Sequence, residues 1–475
     1  MPTSATPATT GHRWPTRRAT VARLVLAVVA AALLLTGALN VRAVFGDDDR
    51  RAWDVDPAAQ SEVAALIGGP PRPASPLDAQ MLTLQDRLRD RPDDARAAAL
   101  LGHAYLQAAR DTGDPGYYPK AEILFDQALA VDATDVGAMT GLGTLALARH
   151  RFADALAWGE RAIALSPAHA PAHGVVVDAL VELGRDDEAV RAAQTMVDLR
   201  PDLASYARVS YVRELHGDRP GAVAAMEQAL VAAAGPQNVA WAATQVGTLR
   251  FEGGDLDAAA RRYAEALAAL PGFPAAMAGQ ARVAAARGDL AAAADLYGRA
   301  LATMPLPEFA IARGDVLAAS GRADEAAAQY ALVGAMDRLA AANGVDTDLD
   351  LALFVADHGT PAQIADAAAR VRALVAARPS VTANDTLAWV LFRAGDLPGA
   401  REASRQALRL GTQSPMMRFH AGTIAAALGD REAAVAHLHA ALDLNPHFSV
   451  RDAPAARVAL AALESASPSN PDAAP

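Results

Sequence analysis

Seven regularly spaced pairs, each a glycine with an alanine five residues later, fix the length of a repeat in this chain. The residue after each glycine is Asp or Arg. The pairs lie 33 to 37 residues apart, except for one gap of 74 residues, about two periods. A period in this range is typical of solenoids, which are stacks of one small structural unit. The pairs are Gly184–Ala189, Gly217–Ala222, Gly254–Ala259, Gly288–Ala293, Gly321–Ala326, Gly395–Ala400 and Gly429–Ala434.

Each pair lies within a pattern that predicts two helices joined by a turn. In the unit that begins at Pro274, small residues stand at Ala281, Ala293 and Ala300, and Pro305 closes the unit. Small side chains allow the axes of two packed helices to approach closely. The glycine can adopt the left-handed conformation that ends the first helix, and the proline ends the second.

This order of small residue, alanine, aromatic, small residue and proline resembles the tetratricopeptide repeat. The aromatic stands four residues after the central alanine at Tyr263, Tyr297 and Tyr330. The resemblance implies an all-α fold, a right-handed superhelical solenoid of about ten helix–turn–helix units. The units begin near Ala95, Val136, Ala170, Leu203, Ala240, Pro274, Pro307, Asp348, Val381 and Pro415. The first carries about seven extra residues, and the eighth lacks the turn glycine, so its register is the least defined.

The amino-terminal region contains eighteen consecutive uncharged residues, Leu24–Val41, preceded by four arginines. A membrane-spanning helix needs about 20 mostly apolar residues. A cleaved signal peptide, with an apolar core of about 7–15 residues and a small-residue cleavage site, is the main alternative, and a buried core helix is a third. The sequence predicts a single transmembrane helix over 24–41. The arginines before it favour a cytoplasmic tail and extracytoplasmic repeats, although Arg42, Arg50 and Arg51 follow it closely.

The rest of the chain divides by composition and pattern. Proline and polar residues predict a tether before the repeats, and apolar residues at helical spacing predict a helix at each end of them, covering the faces that terminal repeats leave bare. The predicted segments are a short tail over 1–23, the anchor over 24–41, a flexible linker over 42–76, a capping helix over 77–94, the solenoid over 95–448, a second capping helix over 449–465 and a disordered tail over 466–475.

Several kinds of chemistry are excluded or disfavoured by composition and spacing. The absence of cysteine excludes thiolate metal sites and a cysteine nucleophile. The net charge of −11 argues against a nucleic-acid partner. His437 and His439 point to different faces of a helix, so no metal site or cofactor is predicted. Asp357 and His358 resemble part of a catalytic dyad, but no serine motif accompanies them, and the sequence predicts no enzyme.

The first helix of each unit supplies the candidate binding surface. Its second, fifth, ninth and twelfth places share one face. In tetratricopeptide-repeat proteins that face lines the concave groove where extended peptides bind. The same spacing also marks core positions, so packing between repeats is an alternative for the aromatic residues. The resemblance places the following residues in the groove, with Arg393 adjacent to them: Asp178, Tyr211, Glu214, Trp241, Thr244, Thr248, Phe251, Arg282, Asp315, Asp385, Trp389, Phe392, Phe419 and Thr423.

These observations predict a non-catalytic, membrane-anchored scaffold that holds a protein or peptide partner in its groove. Aromatic and arginine side chains among small residues are the composition expected of a recognition surface. The alternative is a cell-envelope biogenesis factor whose groove takes a polysaccharide or lipid-linked substrate alongside an enzyme, because Trp241 and Trp389 could stack on sugars.

Overall fold

The computed structural model describes residues 75–465. These residues form 22 α-helices and include no strand, so the predicted all-α fold is confirmed. In chain order the helices are α1 (Pro76–Asp90), α2 (Ala95–Thr112), α3 (Tyr117–Val131), α4 (Val136–Ala148), α5 (Phe152–Leu165), α6 (Ala170–Glu182), α7 (Asp186–Leu199), α8 (Leu203–Leu215), α9 (Arg219–Val231), α10 (Pro236–Glu252), α11 (Leu256–Ala269), α12 (Pro274–Ala286), α13 (Leu290–Thr303), α14 (Pro307–Ala319), α15 (Ala323–Ala342), α16 (Asp348–His358), α17 (Pro361–Ala377), α18 (Val381–Arg393), α19 (Leu397–Ala407), α20 (Pro415–Ala427), α21 (Arg431–Leu444) and α22 (Asp452–Ser465).

Some predicted segments lie outside the described residues. They are the short tail, the membrane anchor over 24–41, nearly all of the linker and the tail over 466–475. Among the helices of residues 75–465, none combines the length and the apolar composition that crossing a bilayer requires.

Helices α2 to α21 pair in sequence into ten units, and the aromatic residue of the repeat fills the space between them. Tyr263 on α11 has no exposed surface. A Cβ atom at Gly247 on α10 would lie 2.7 Å from its ring, and one at Gly279 on α12 would lie 2.3 Å away. Both distances are shorter than van der Waals contact, so only glycine allows the two first helices to pack on this ring. The small residues and the aromatic therefore form one interlocking core.

The turn glycines take the backbone conformation that their position predicted. All seven have a positive φ, from 67° at Gly184 to 86° at Gly395. The second unit has a histidine at the same place, and His150 also has a positive φ, 58°. Residues other than glycine seldom adopt this conformation. His150 is held there by its Nδ1 atom, which lies 2.6 Å from the carbonyl oxygen of Asp346.

The first and eighth units are among those that depart from the common helix length. The extra residues of the first unit lengthen α2 to 18 residues, against 13 in α4, α6 and α8. In the eighth unit α16 has only 11 residues, and Gly359 after it has an ordinary φ of −80°. The missing turn glycine of this unit thus corresponds to a shorter first helix that ends without a left-handed residue.

The turns of units 1 to 5 contact the loops that follow units 6 to 10, always five units later along the chain. We call this row of contacts the seam. At two places a side chain of the later loop donates to a carbonyl at the end of an earlier helix: Thr412 Oγ1 to Leu215 O at 2.6 Å, and Asn445 Nδ2 to Phe251 O at 2.7 Å. The contacting turn and loop residues are Gly113 with Met304, His150 with Asp346, Gly184 with Pro379, Gly217 with Gly411, and Gly254 with Leu444.

The seam satisfies groups that a helix cannot satisfy by itself. The last carbonyls of a helix have no partner within it. Asn445 is fully buried and Thr412 nearly so, and both act on such carbonyls at the ends of α8 and α10. Because the seam joins units five apart, successive turns of the superhelix stack directly on one another. The inner face of the first helices consequently surrounds a narrow interior.

Candidate binding groove

Among the predicted groove residues, Tyr211 on α8 is exposed, as is the adjacent Arg393 on α18. Tyr211 keeps 40% of its surface exposed, and the side chain of Thr382 on α18 lies next to its hydroxyl, from the opposite side of the interior. Burial on its other sides raises the pKa of Tyr211, and the nearby carboxylates of Glu182 and Glu214 raise it further. The Tyr211 hydroxyl and the Thr382 side chain thus meet across the interior at this level.

Glu214 lies one turn further along α8. Its carboxyl group makes no hydrogen bond or ion pair within the described part of the chain. Burial and the negative charge of Glu252 raise its pKa to about 7, and Arg219 opposes this shift. A half-buried acid without a partner at this position is a ready acceptor for a hydrogen-bond donor of a ligand.

Two ion pairs extend this polar surface to the neighbouring units. Asp178 on α6 accepts two hydrogen bonds from Arg208 on α8, at 2.6 and 2.8 Å. Glu252 on α10 pairs with Arg282 on α12, whose guanidinium also lies over the Phe251 ring, 4.1 Å from its centre. These pairs and the two α8 residues form a continuous polar strip along four units. We call it the inner strip: Asp178, Arg208, Tyr211, Glu214, Glu252 and Arg282.

Arg208 and Glu252 were not among the predicted groove residues. Each lies one place away from the four places that define the groove face. The sequence does contain a pattern that could have identified them: both ion pairs join residues 30 positions apart, slightly less than one repeat. Opposite charges at that separation place an acid on one first helix beside a base on the next.

Trp241 and Thr248 on α10 serve mainly to pack the units together. Trp241 is half-buried and packs in the cores formed by α9, α10 and the start of α12. Thr248 Oγ1 donates to the carbonyl of Thr244 at 3.1 Å and lies 3.4 Å from the Tyr263 hydroxyl. Their polar atoms contribute little to the groove.

The ninth and tenth units place the predicted aromatic residues in a stacked, largely buried cluster. Trp389 is 5% exposed, and its ring stacks on His420 at 4.3 Å and on Phe392 at 5.1 Å. Phe419 is also 5% exposed, and Asp385, 7% exposed, lies 3.1 Å from His420 Nδ1. Burial lowers the pKa of His420, but Asp385 outweighs this and leaves it raised. A partner in this region can reach half-buried Phe392 and exposed Arg393, and only the edges of the others.

Asp357 is the hub of a polar cluster beside these rings. Its carboxylate accepts from Trp389 Nε1 at 2.9 Å, Arg393 Nη1 at 3.3 Å and Arg451 Nη2 at 2.5 Å. The adjacent His358 faces a different acid, Asp315, at 3.7 Å. The two residues of the possible dyad therefore have separate partners. Within residues 75–465 no three acidic or histidine side chains are grouped closely enough to hold a metal ion.

Sequence comparison identifies the repeat that builds this groove. The family model described as "Tetratricopeptide repeat" matches residues 108–170, 247–306 and 362–415. The three matched stretches fall in the early, middle and late units of the superhelix. The chain contains tetratricopeptide repeats. No curated protein matches it.

Solved structures similar to this chain include two from bacteria and one from human. TTC0263, a thermophilic repeat protein of Thermus thermophilus, is 25% identical, with 37% of this chain and 92% of that chain covered and a TM-score of 0.34. A repeat protein of Parabacteroides merdae is 15% identical over 51% of this chain and 98% of that chain, with a TM-score of 0.37. The human IFIT1 dimer is 15% identical over 67% of this chain and 73% of that chain, with a TM-score of 0.43.

Proposed function

We propose that this protein is a non-catalytic scaffold that binds an extended segment of a protein partner along the inner strip. Tetratricopeptide-repeat proteins bind protein or peptide partners, and the inner strip leaves Tyr211 exposed and Glu214 half-buried. The observation that carries the proposal is Glu214, an acid that lines the interior and makes no bond to the described residues.

The chemistry of the strip specifies the partner further. Asp178 and Arg282 are already paired, so their charges are largely neutralised. Glu214 and the Tyr211 hydroxyl remain as an acceptor and a donor. A segment with an arginine or lysine side chain would place a cation on Glu214, which would also return that acid to its charged form. The partner is therefore a segment with at least one basic residue.

Site-specific photo-crosslinking tests this proposal. A photoreactive amino acid in place of Tyr211 is expected to capture the partner from detergent-solubilised cells, because the side chain points into the occupied interior. The matched control is the same amino acid in place of Val231 on α9, which is 88% exposed on the outer surface. Adding Glu214→Ala to the Tyr211 variant is expected to reduce capture about 30-fold, as loss of a hot-spot contact of about 2 kcal/mol would. Equal adducts from both positions, or capture unchanged by Glu214→Ala, would argue against the groove.

We also propose that residues 24–41 anchor the scaffold in the cell membrane with the repeats outside the cytoplasm. The length of the apolar stretch and the arginines before it support this arrangement. A reporter that is active only after export, fused after Pro475, is expected to be active. Replacing Leu33 and Leu35 with arginine should abolish that activity, because two charges in the apolar stretch oppose membrane insertion. Activity of a cytoplasmic reporter alone would reverse the orientation.

A further inference from the structure

A second interior space lies between the first unit and units 7 and 8. It has a volume of about 600 Å³ and is bounded by the end of α2, the start of α3, the loop after α13, helices α14, α15 and α16, and Thr382 and Thr386 of α18. Its walls are mostly apolar, and six of the side chains are Met304, Leu306, Ile311, Met336, Leu351 and Leu353. Cavities of about 300–1,000 Å³ with such linings are the usual binding sites for small organic molecules.

Two polar side chains of the first unit also line this cavity. The Arg110 guanidinium donates to Gln107 Oε1 at 2.6 Å, and it makes no ion pair with the side chains that the structure describes. The Tyr118 hydroxyl makes no hydrogen bond in the same part of the chain. The positive charge of Arg110 acts on this hydroxyl and opposes the rise in its pKa that burial causes. The two groups are thus neighbours with spare donors.

Arg110 is in a position that favours an added anion. Arg110 lines the cavity although the residue is exposed; surrounding protein lowers the pKa of its guanidinium, and the carboxylate of Asp111 opposes that shift. A cation in such a place gains from an anion that brings its own hydrogen-bond acceptors. The planar guanidinium matches a carboxylate through two parallel N–H···O bonds.

The other ionisable groups around the cavity are less available to a ligand. His150 Nδ1 contacts the carbonyl of Asp346, and Asp337, 4% exposed, accepts from the Thr347 hydroxyl. Glu308 is exposed at the start of α14. Both acids are on the helices opposite the first unit and disfavour a second negative charge there, while Asp111 and Asp114 of the first unit act on Arg110 and Tyr118 respectively.

We propose that this cavity binds a monocarboxylic acid with a long aliphatic chain. The carboxylate contacts Arg110 and Tyr118, and the chain packs among Met304, Ile311 and Leu353. Burial of each methylene group favours the complex, and the charged head fixes its direction. A neutral molecule with a chain of the same length gains the burial of methylene groups but lacks the charged contact with Arg110.

Isothermal titration of the purified, delipidated full-length protein tests this with palmitate and with hexadecan-1-ol. Palmitate is expected to bind at one site, at least tenfold more tightly than the alcohol. Arg110→Gln is expected to weaken palmitate at least tenfold and to leave the alcohol unchanged. The matched control is Arg89→Gln, whose side chain is 71% exposed on α1 and should have no effect.

Filling the cavity provides a second test that does not depend on the head group. Ile311→Trp is expected to abolish binding of both compounds, whereas Ile123→Trp, at a site 67% exposed on α3, should preserve it. Should Ile311→Trp fail to fold by circular dichroism, the Arg110 comparison decides alone. Absence of palmitate binding overturns the proposal. Equal affinities for the acid and the alcohol would also overturn the proposal, and so would palmitate binding to Arg110→Gln that is as tight as binding to the parent protein.

Discussion

Trp389→Ala is expected to lower the free energy of unfolding by about 3–5 kcal/mol, as removal of a large buried aromatic ring does. The ring is 5% exposed and stacks on His420, so its loss opens a cavity between the ninth and tenth units. The indole N–H also donates to Asp357, which would keep only its two arginine partners. The cavity and the lost hydrogen bond both lower the free energy of unfolding.

Urea unfolding followed by circular dichroism measures this loss. The control is Arg393→Ala in the same helix, which removes an exposed partner of the same carboxylate and should cost about 1 kcal/mol or less. A loss below about 1 kcal/mol for Trp389→Ala would mean that this ring contributes little to packing. Its expected role would then be contact with a partner, the groove position that its spacing on α18 predicted.

Glu214→Gln is expected to stabilise the protein at pH 8 and to have little effect at pH 4. The pKa of Glu214 is raised from 4.5 to about 7, so the folded protein binds this proton more tightly than the unfolded chain does. Stability from this group is therefore fully present below pH 4.5 and is lost as the pH rises through about 7. The shift corresponds to about 3 kcal/mol at most, which the neutral glutamine recovers.

Thermal melting of the variant and the parent protein from pH 4 to pH 8 measures this difference. Taking the difference at each pH removes the contribution of other titrating groups that the substitution leaves unchanged. Glu160→Gln on the exposed face of α5 controls for the loss of one negative charge, and it should change stability by about 0.5 kcal/mol or less throughout. A Glu214→Gln effect that is the same at pH 4 and pH 8 would contradict the raised pKa.

Local sequence determined much of the fold, and the residues involved explain why. A glycine that ends a helix can be recognised from the sequence around it, and Gly184, Gly288 and the other five turn glycines all have a positive φ. The aromatic Tyr263 could likewise be placed, because the small residues that accommodate it recur at fixed distances. The positive φ of His150 could not be predicted in this way, since it depends on a contact with Asp346, which is far away in the sequence.

The candidate site was harder to predict than the fold. Spacing places Tyr211 and Trp389 on the same face of equivalent helices, yet one is 40% exposed and the other 5%. What separates them is their surroundings: Trp389 is flanked by His420 and Phe419, whereas Tyr211 faces Thr382 across the interior. A pattern along one helix contains no information about residues that arrive from another turn of the superhelix.

The seam has a consequence for how the chain is made. Its hydrogen bonds join residues 194 to 197 positions apart, such as Asn445 with Phe251 and Thr412 with Leu215. Ribosomes add about 5–20 residues per second, so the later partner is synthesised roughly 10–40 s after the earlier one. During that interval the Leu215 carbonyl lacks the Thr412 donor, and the Phe251 carbonyl keeps only its local hydrogen bond from Gly254 N. The newly made amino-terminal half therefore exposes its side of the seam, the turns of units 1 to 5, until the carboxy-terminal half has emerged from the ribosome.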